Sequence, residues 1–290
     1  MAKLLSGKEA AASLDAKLVS TAEKLRAQGV MPRLAVIRCG EDSSDLAYER
    51  GILKKAEKIG VEAVRIHFPA DTDKEPLIAK IRELNEDPSV HGVLLFRPLP
   101  KPLKKDAEEI CNTLDPAKDV DAMTDLSCAG VYEGKDLGFT PCTPEACLEI
   151  LDFYGIDLTG KDVTVIGRSL VVGRPAAMML MKRNATVTIC HTKTKDVPAA
   201  ARRADVIVSA VGKLNTLTGD YVREGQIVLD VSVNWDPEKN DGQGGLAGDA
   251  VFDEVSPVVD AITPVPGGVG SVTTSVLMKH VLEAAVRSCC

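Results

Sequence analysis

Residues 163–175 read VTVIGRSLVVGRP. A short β-branched run closes on Gly167, Arg168 and Ser169 follow, and a second glycine, Gly173, precedes Arg174 and Pro175. The pattern is that of a strand turning into a helix around a phosphate. Glycines there allow a tight bend and let backbone N–H groups approach the anion, whose negative charge the helix N-terminus favours. The spacing is G-x-x-x-x-x-G, not the G-x-G-x-x-G of the general dinucleotide fingerprint, and an arginine sits inside the turn. A plain strand-to-helix turn with incidental glycines is the competing reading of the same residues.

The next strand-like run narrows the choice. In NAD-binding folds an Asp or Glu about 20 residues past the turn holds the ribose 2′-hydroxyl. Here the run ATVTIC ends in Cys190-His191-Thr192-Lys193-Thr194, with no carboxylate. Hydroxyls, His191, Lys193 and Arg168 suit a 2′-phosphate, which a carboxylate would repel, and arginine offers it a fork of donors. NADP is therefore expected over NAD, although Lys193 reads equally well as a solvated charge after a strand.

Outward from this turn, the chain alternates strand-like and helix-like segments. Apolar residues at helical spacing run from Ser6 to Arg26, and Leu34–Ile37 reads as a strand. Leu46–Ile59 then reads as a helix closed by Gly60, Val61–Ile66 as a strand, the stretch around Leu77–Leu84 as a helix and Val93–Phe96 as a strand. Asp115–Asp125 and Gly130–Pro141 read as irregular, and Thr143 is expected to cap a helix with Pro144 at its first position. Further strands are expected at Ala185–Ile189, Val206–Ser209 and Ile227–Val231, with a closing amphipathic helix over Ser271–Val286. Strands separated by helices imply βαβ units and a parallel sheet. The expected fold is thus α/β, with two domains, the last helix packing back on the first and the cleft between them as the default ligand site.

The composition fits. Aromatics make up 3% of 290 residues and the apolar fraction is 45%, so the core must be largely Val, Leu, Ile and Ala, as buried parallel strands require. A formal charge of −7 argues against a nucleic-acid or anionic-membrane partner. The residues after Met1 show no long apolar leader, and no apolar run approaches the ~18 residues of a membrane span. The 8 cysteines lack paired metal-ligand spacing, so no metal is expected and reduced thiols in the cytoplasm are.

Four stretches make a specific resemblance: IGRSLVVGRP, KDVDAMT at 118–124, FTPCTP at 139–144 and ITPVPGGVGSVT at 262–273. Together, and in this order, they resemble the methylenetetrahydrofolate dehydrogenase/cyclohydrolase family. The resemblance implies an α/β folate-binding domain of residues 1–142 plus 270–290 and a Rossmann-like NADP-binding domain of residues 143–269, in a homodimer. It also implies oxidation of 5,10-methylenetetrahydrofolate to the methenyl compound, and in most members hydrolysis of that product to 10-formyltetrahydrofolate. Carried onto this chain, it places Gly167, Arg168, Ser169 and Gly173 at the phosphates, Thr192 near the 2′-phosphate, Gly212 along the cofactor and Val233 near the nicotinamide. For the reduced folate it points to Tyr48, Asp121 and the Pro266-Gly267-Gly268 turn. Taken singly, Tyr48 would read as core, Asp121 as a helix cap or loop acid, and the glycines as a turn.

The chain also departs from the pattern. Most members carry a catalytic lysine one helical turn after the tyrosine, assisted by a glutamine in VQLPLP. Here those positions fall on Ile52 and Phe96, in YERGILKKAEKIG and LLFRPLP. Neither can move a proton, and such groups contribute about 10²–10⁴-fold. Cyclohydrolase activity is therefore expected to be weak or absent. The alternatives are a bifunctional enzyme in which Lys55 or Arg97 compensates, a divergent dehydrogenase and a catalytically silent paralogue. Lys55 reads more simply as a solvated helix charge, and strand alternation would turn Arg97 away from the Phe96 side. Ala122, Ser232 and Ser271 are further departures, standing where glycine, glycine and proline are usual.

Overall fold

The computed structural model describes residues 2–240 and 242–289. They form two compact units: residues 13–142 with 274–289, and residues 2–12 with 143–273.

In the first unit, three parallel strands carry the framework: β2 (Arg33–Cys39), β3 (Glu62–Phe68) and β4 (Gly92–Leu95), in the order β3-β2-β4. A short strand elsewhere takes the label β1 (Lys3–Leu4), and the numbering continues with β5 below. Helices α1 (Gly7–Ala27), α2 (Ser43–Ile59), α3 (Lys74–Glu86) and α4 (Ala107–Asn112) alternate with the strands. The α2 boundaries follow from its sequence. The Asp42 carboxylate accepts the Ser44 N–H at its start, and Gly60 closes it with a left-handed backbone (φ 90°), a conformation glycine adopts without a Cβ penalty. Glu49, Ile52, Ala56 and Ile59 form its buried stripe. Ala35, Ile37 and Leu95 from the sheet pack with Leu77, Ile81 and Ile110 from the helices; burying such a side chain is worth about 2 kcal/mol.

Two expectations change here. The stretch expected to be irregular contains α5 (Asp125–Glu133), capped by the Thr124 hydroxyl and ended by Gly134. Its nine residues are too few for apolar spacing to reveal. The following helix, α6, spans Cys142–Phe153, so it begins one residue before Thr143 rather than after it.

The second unit is built on β5 (Asp162–Ile166), β6 (Thr186–Cys190), β7 (Val206–Ser209), β8 (Ile227–Asp230) and, beyond a hairpin of β9 (Asn234–Asp236) and β10 (Gly245–Ala247), β11 (Ala261–Ile262). With β1 they make a six-stranded parallel sheet in the order β1-β11-β8-β7-β5-β6. Helices α7 (Gly173–Lys182), α8 (Val197–Arg203) and α9 (Phe252–Val255) connect the strands, and α10 spans Gly270–Arg287. The chain runs from β5 outward to β6 and then returns across β5 to β7, so the strand order reverses between β5 and β7. Ligands of open α/β sheets bind at such a reversal, outside the carboxyl ends of the strands.

Residues 2–12 lie in this unit, not with residues 13–142 as the expected domain division had it. The cause is pairing: Lys3 and Leu4 align with Ala261 and Ile262 as the edge of the sheet, and the Gly7 N–H donates to the Gly267 carbonyl at 2.9 Å.

Candidate functional site

The turn after β5 has the geometry of a phosphate cradle. Gly167 has φ 126°, and a Cβ on it would run into the Ala210 carbonyl. A Cβ on Gly173 would meet the Gly167 carbonyl and lie 2.8 Å from the Arg168 nitrogen. Both positions therefore require glycine: the cradle is too close for side chains. The Ser169 hydroxyl accepts the Val172 and Gly173 N–H groups at 3.1 and 3.4 Å, fixing the first turn of α7, while Arg168 and Ser169 themselves stay exposed.

The neighbouring turn after β6 is held by its own atoms. The Thr194 hydroxyl accepts the His191 N–H at 2.9 Å, and His191 Nδ1 accepts the Lys193 N–H at 3.1 Å. Thr192 and Lys193 are exposed, and the turn carries no acid. Because β5 and β6 run in register from Asp162↔Thr186 to Ile166↔Cys190, the two turns leave adjacent strand ends. The Gly167 N–H donates to the Cys190 carbonyl at 2.9 Å. A dinucleotide bearing a 2′-phosphate fits this donor set; one needing a carboxylate partner for its ribose does not.

Farther along the same strand ends, Gly212 (φ 73°) follows β7 and Val233, 54% exposed, follows β8. Val233 shares a cavity of about 250 Å³ with Val231, Pro266, Gly267, Gly268 and Ser271. The structure thus brings the residue expected near the nicotinamide together with the turn expected at the folate. The glycines of that turn also serve packing: the Gly268 carbonyl occupies the place a Cβ on Gly7 would take, and Gly267 has φ 107°. Below the cavity, burial raises the Asp230 carboxyl to about 6, although it accepts the N–H groups of Asp249 and Ala250 at 3.0 and 2.9 Å.

In the other unit a second cluster forms around Asp121. Its loop is built by the fully buried Asp119, whose carboxylate accepts the Met123 and Thr124 N–H groups and the Ser127 hydroxyl at 2.7–2.9 Å. Asp121 is left with 30% of its side chain exposed and accepts the Cys142 N–H at 3.0 Å. It thereby satisfies an orphan donor at the start of α6, the role expected of Thr143. The cap reading of Asp121 is real, and it leaves the outer oxygen free for a second partner.

That partner is Arg97, whose guanidinium lies 3.7 Å from Asp121 Oδ2. The expectation that alternation would turn Arg97 away does not hold, because β4 ends at Leu95 and the strand period does not extend past it. Phe96 packs on Tyr48, ring centroids 5.5 Å apart. Tyr48 is 41% exposed as a residue and so is not core. Desolvation of its hydroxyl, and then the neighbouring Cys142 and Asp121, raise its ionisation above the ordinary range, and it stays a neutral phenol. Ile52, expected at the lysine position, is fully buried.

Lys55 is engaged elsewhere. Its ammonium lies 2.7 Å from Asp15 Oδ2 and 2.9 Å from the Ser275 hydroxyl, with 16% of the side chain exposed. The expectation of a solvated helix charge is corrected: it is a nearly buried ion pair between helices.

Comparison with known proteins covers both units. Residues 5–121 match the tetrahydrofolate dehydrogenase/cyclohydrolase catalytic domain, and residues 141–289 match the NAD(P)-binding domain of the same family. The bifunctional protein FolD of Alkaliphilus oremlandii is 44% identical over 98% of this chain and 97% of its own. The solved bifunctional FolD of Campylobacter jejuni superposes with a TM-score of 0.93 at 38% identity, over 99% of both chains. The FolD of Trypanosoma brucei, solved with NADP and an inhibitor, superposes with a TM-score of 0.92 at 32% identity over 99% of this chain and 98% of its own. In sequence and in fold, over nearly its whole length, the chain belongs to the tetrahydrofolate dehydrogenase/cyclohydrolase family.

Proposed function

We propose that the chain is an NADP-dependent 5,10-methylenetetrahydrofolate dehydrogenase that also hydrolyses the methenyl product. The observation that carries the cofactor assignment is the glycine-only cradle at Gly167 and Gly173 beside a turn with no carboxylate. Gly167, Arg168 and Ser169 receive the phosphates, Thr192 and Lys193 the 2′-phosphate, and Gly212 and Val233 the nicotinamide half. When bound, NADP supplies the hydride acceptor. The chain's own task in the oxidation is to hold and align the reduced folate and to exclude water. Asp121 accepts from the donor-rich edge of the pterin, Tyr48 donates as a neutral phenol, and Pro266-Gly267-Gly268 let the backbone approach a flat ring.

The hydrolytic step is the reading favoured by the relatives, which are named bifunctional; this reverses the order expected from Ile52 and Phe96. The side chain supporting it is Arg97, a permanent cation beside Asp121. It cannot accept a proton, but it can orient water towards the methenyl carbon and, once the added water has lost a proton to solvent, stabilise negative charge on the carbinol oxygen. The second reading, a dehydrogenase that releases the methenyl compound, is favoured by the fully buried Ile52 and by the engagement of Lys55 with Asp15 and Ser275.

One experiment tests both. Methylenetetrahydrofolate and NADP are supplied, and reduced cofactor and methenyl compound are followed separately, in the wild type and in Arg97→Leu. Bifunctionality predicts enzyme-accelerated decay of the methenyl compound, falling at least ~10-fold in the variant while oxidation changes less. Methenyl compound that decays no faster than without enzyme establishes the second reading. An absence of turnover with NADP refutes the dehydrogenase.

A further inference from the structure

The cofactor-side loop after β7 is tied from within. Asp249 is fully buried, and its carboxylate gathers five donors. Oδ2 accepts the Ser209 hydroxyl, the Val211 N–H and the Ser232 hydroxyl at 2.8–2.9 Å. Oδ1 accepts the Lys213 N–H at 3.0 Å and the Asn234 amide at 3.2 Å. The Gly212 N–H, between the two loop amides that reach Asp249, donates instead to the Ser232 hydroxyl at 3.0 Å. Ser232 thus passes Gly212's hydrogen bond on to the carboxylate. The Asp249 backbone is anchored in turn, its N–H donating to Asp230 and its carbonyl accepting from Thr216 and Leu217.

Two consequences follow. Three consecutive amides of the loop, those of Val211, Gly212 and Lys213, are spent inward, so none of these three is left for a phosphate. Among the described residues none donates to the Val211 or Gly212 carbonyl, so acceptors are what this loop offers. Such a surface suits a ribose hydroxyl or a carboxamide N–H. The loop's position is set by a satisfied buried network, the kind of arrangement that rigidifies a segment.

We propose that Asp249, acting through Ser232, is a positioning residue for the nicotinamide half of the cofactor: it fixes the 211–213 loop so that the free Val211 and Gly212 carbonyls meet the nicotinamide riboside. The proposal rests on the reading that Gly212 and Val233 face NADP. It also explains why a serine stands in this chain at a position where the family pattern has glycine: its hydroxyl supplies a link that glycine lacks.

The test uses the whole chain and two probes, NADP and the fragment 2′-phospho-AMP, whose dissociation constants are measured by calorimetric titration. Ser232→Gly is expected to weaken NADP about 10-fold, leave 2′-phospho-AMP unchanged, and raise the KM for NADP more than it lowers kcat. Ser232→Thr, which keeps the hydroxyl, is expected to restore binding. Asp249→Asn is expected to exceed the Ser232→Gly effect, but the serine pair stands alone if that variant fails to fold. An equal loss for both probes in Ser232→Gly, or no loss for either, overturns the proposal, as does failure of Ser232→Thr to restore NADP binding. If the wild type binds 2′-phospho-AMP but gains nothing from the nicotinamide half, the underlying reading of Gly212 and Val233 fails, and the proposal with it.

Discussion

The turn after β5 and the cluster around Asp121 reach their chemistry by different means. At Gly167 and Gly173 the backbone itself makes the site: the missing Cβ atoms and the start of α7 present N–H groups, and no distant side chain is needed. Around Asp121, four segments contribute one side chain or backbone group each: Tyr48 from α2, Arg97 from the stretch after β4, Asp121 from its loop and the Cys142 N–H from α6. A site made of backbone geometry tolerates change at exposed side chains but none at its glycines. A site made of converging side chains depends on each of them singly, as on Phe96 against Tyr48 and Arg97 against Asp121.

The hardest test of this contrast is Gly173→Ala. Its Cβ would press on the Gly167 carbonyl and the Arg168 nitrogen, so NADP affinity should fall at least ~100-fold and stability by about 3 kcal/mol, the cost of overpacking. Calorimetric titration and denaturant unfolding measure the two; unchanged NADP binding would show that the cradle is no cradle.

A smaller effect is expected in the other unit from Lys55→Met. Burial works to raise the Asp15 carboxyl, but hydrogen bonds from Lys55, Lys58 and Ser275 outweigh it and hold the group below its ordinary value. A carboxyl depressed in the folded state adds stability that is complete above its unfolded value of about 4, and this stability is lost as pH falls through the folded value. Lys55→Met should cost about 2 kcal/mol at neutral pH and shrink that acid-side loss, with kcat for oxidation within a few-fold of wild type. Loss of hydrolysis without loss of stability would instead move Lys55 into the site.

The smallest effect is expected from Ala122→Gly. Ala122 holds φ 49° beside Asp121, a left-handed conformation costing an L-residue about 1–2 kcal/mol. Glycine relieves this but gives back about 0.5–1 kcal/mol of unfolded-state entropy, leaving a gain below about 1 kcal/mol in thermal unfolding. A clear loss would mean that the Ala122 methyl packs for more than its backbone strain.

These differences also govern what could be read before the fold was seen. The parallel strands and the cradle are local patterns, legible from β-branched runs and glycines, and the carboxylate-free turn after β6 is legible as an absence. The positions of Arg97 and Lys55 are not. Arg97 depends on where β4 stops, and Lys55 on Asp15 and Ser275, which lie 40 and 220 residues away. The short helix at Asp125–Glu133 and the hairpin after β8 escaped for want of length. Asp249 gave no sign at all, since a buried acid with five donors resembles any other aspartate in a sequence.

The pairing of Lys3 and Leu4 with Ala261 and Ile262 bears on how the molecule is made. The chain passes from one unit to the other three times, after residues 12, 142 and 273, so neither unit is a continuous fragment. The edge strand of the nucleotide-binding sheet is made more than two hundred residues before its partner strand, and the helix that completes the other unit follows later still. Each unit must therefore wait for its distant segment before it can close. A nascent chain released early carries two unfinished sheets, and a cut at a single peptide bond cannot yield two intact halves.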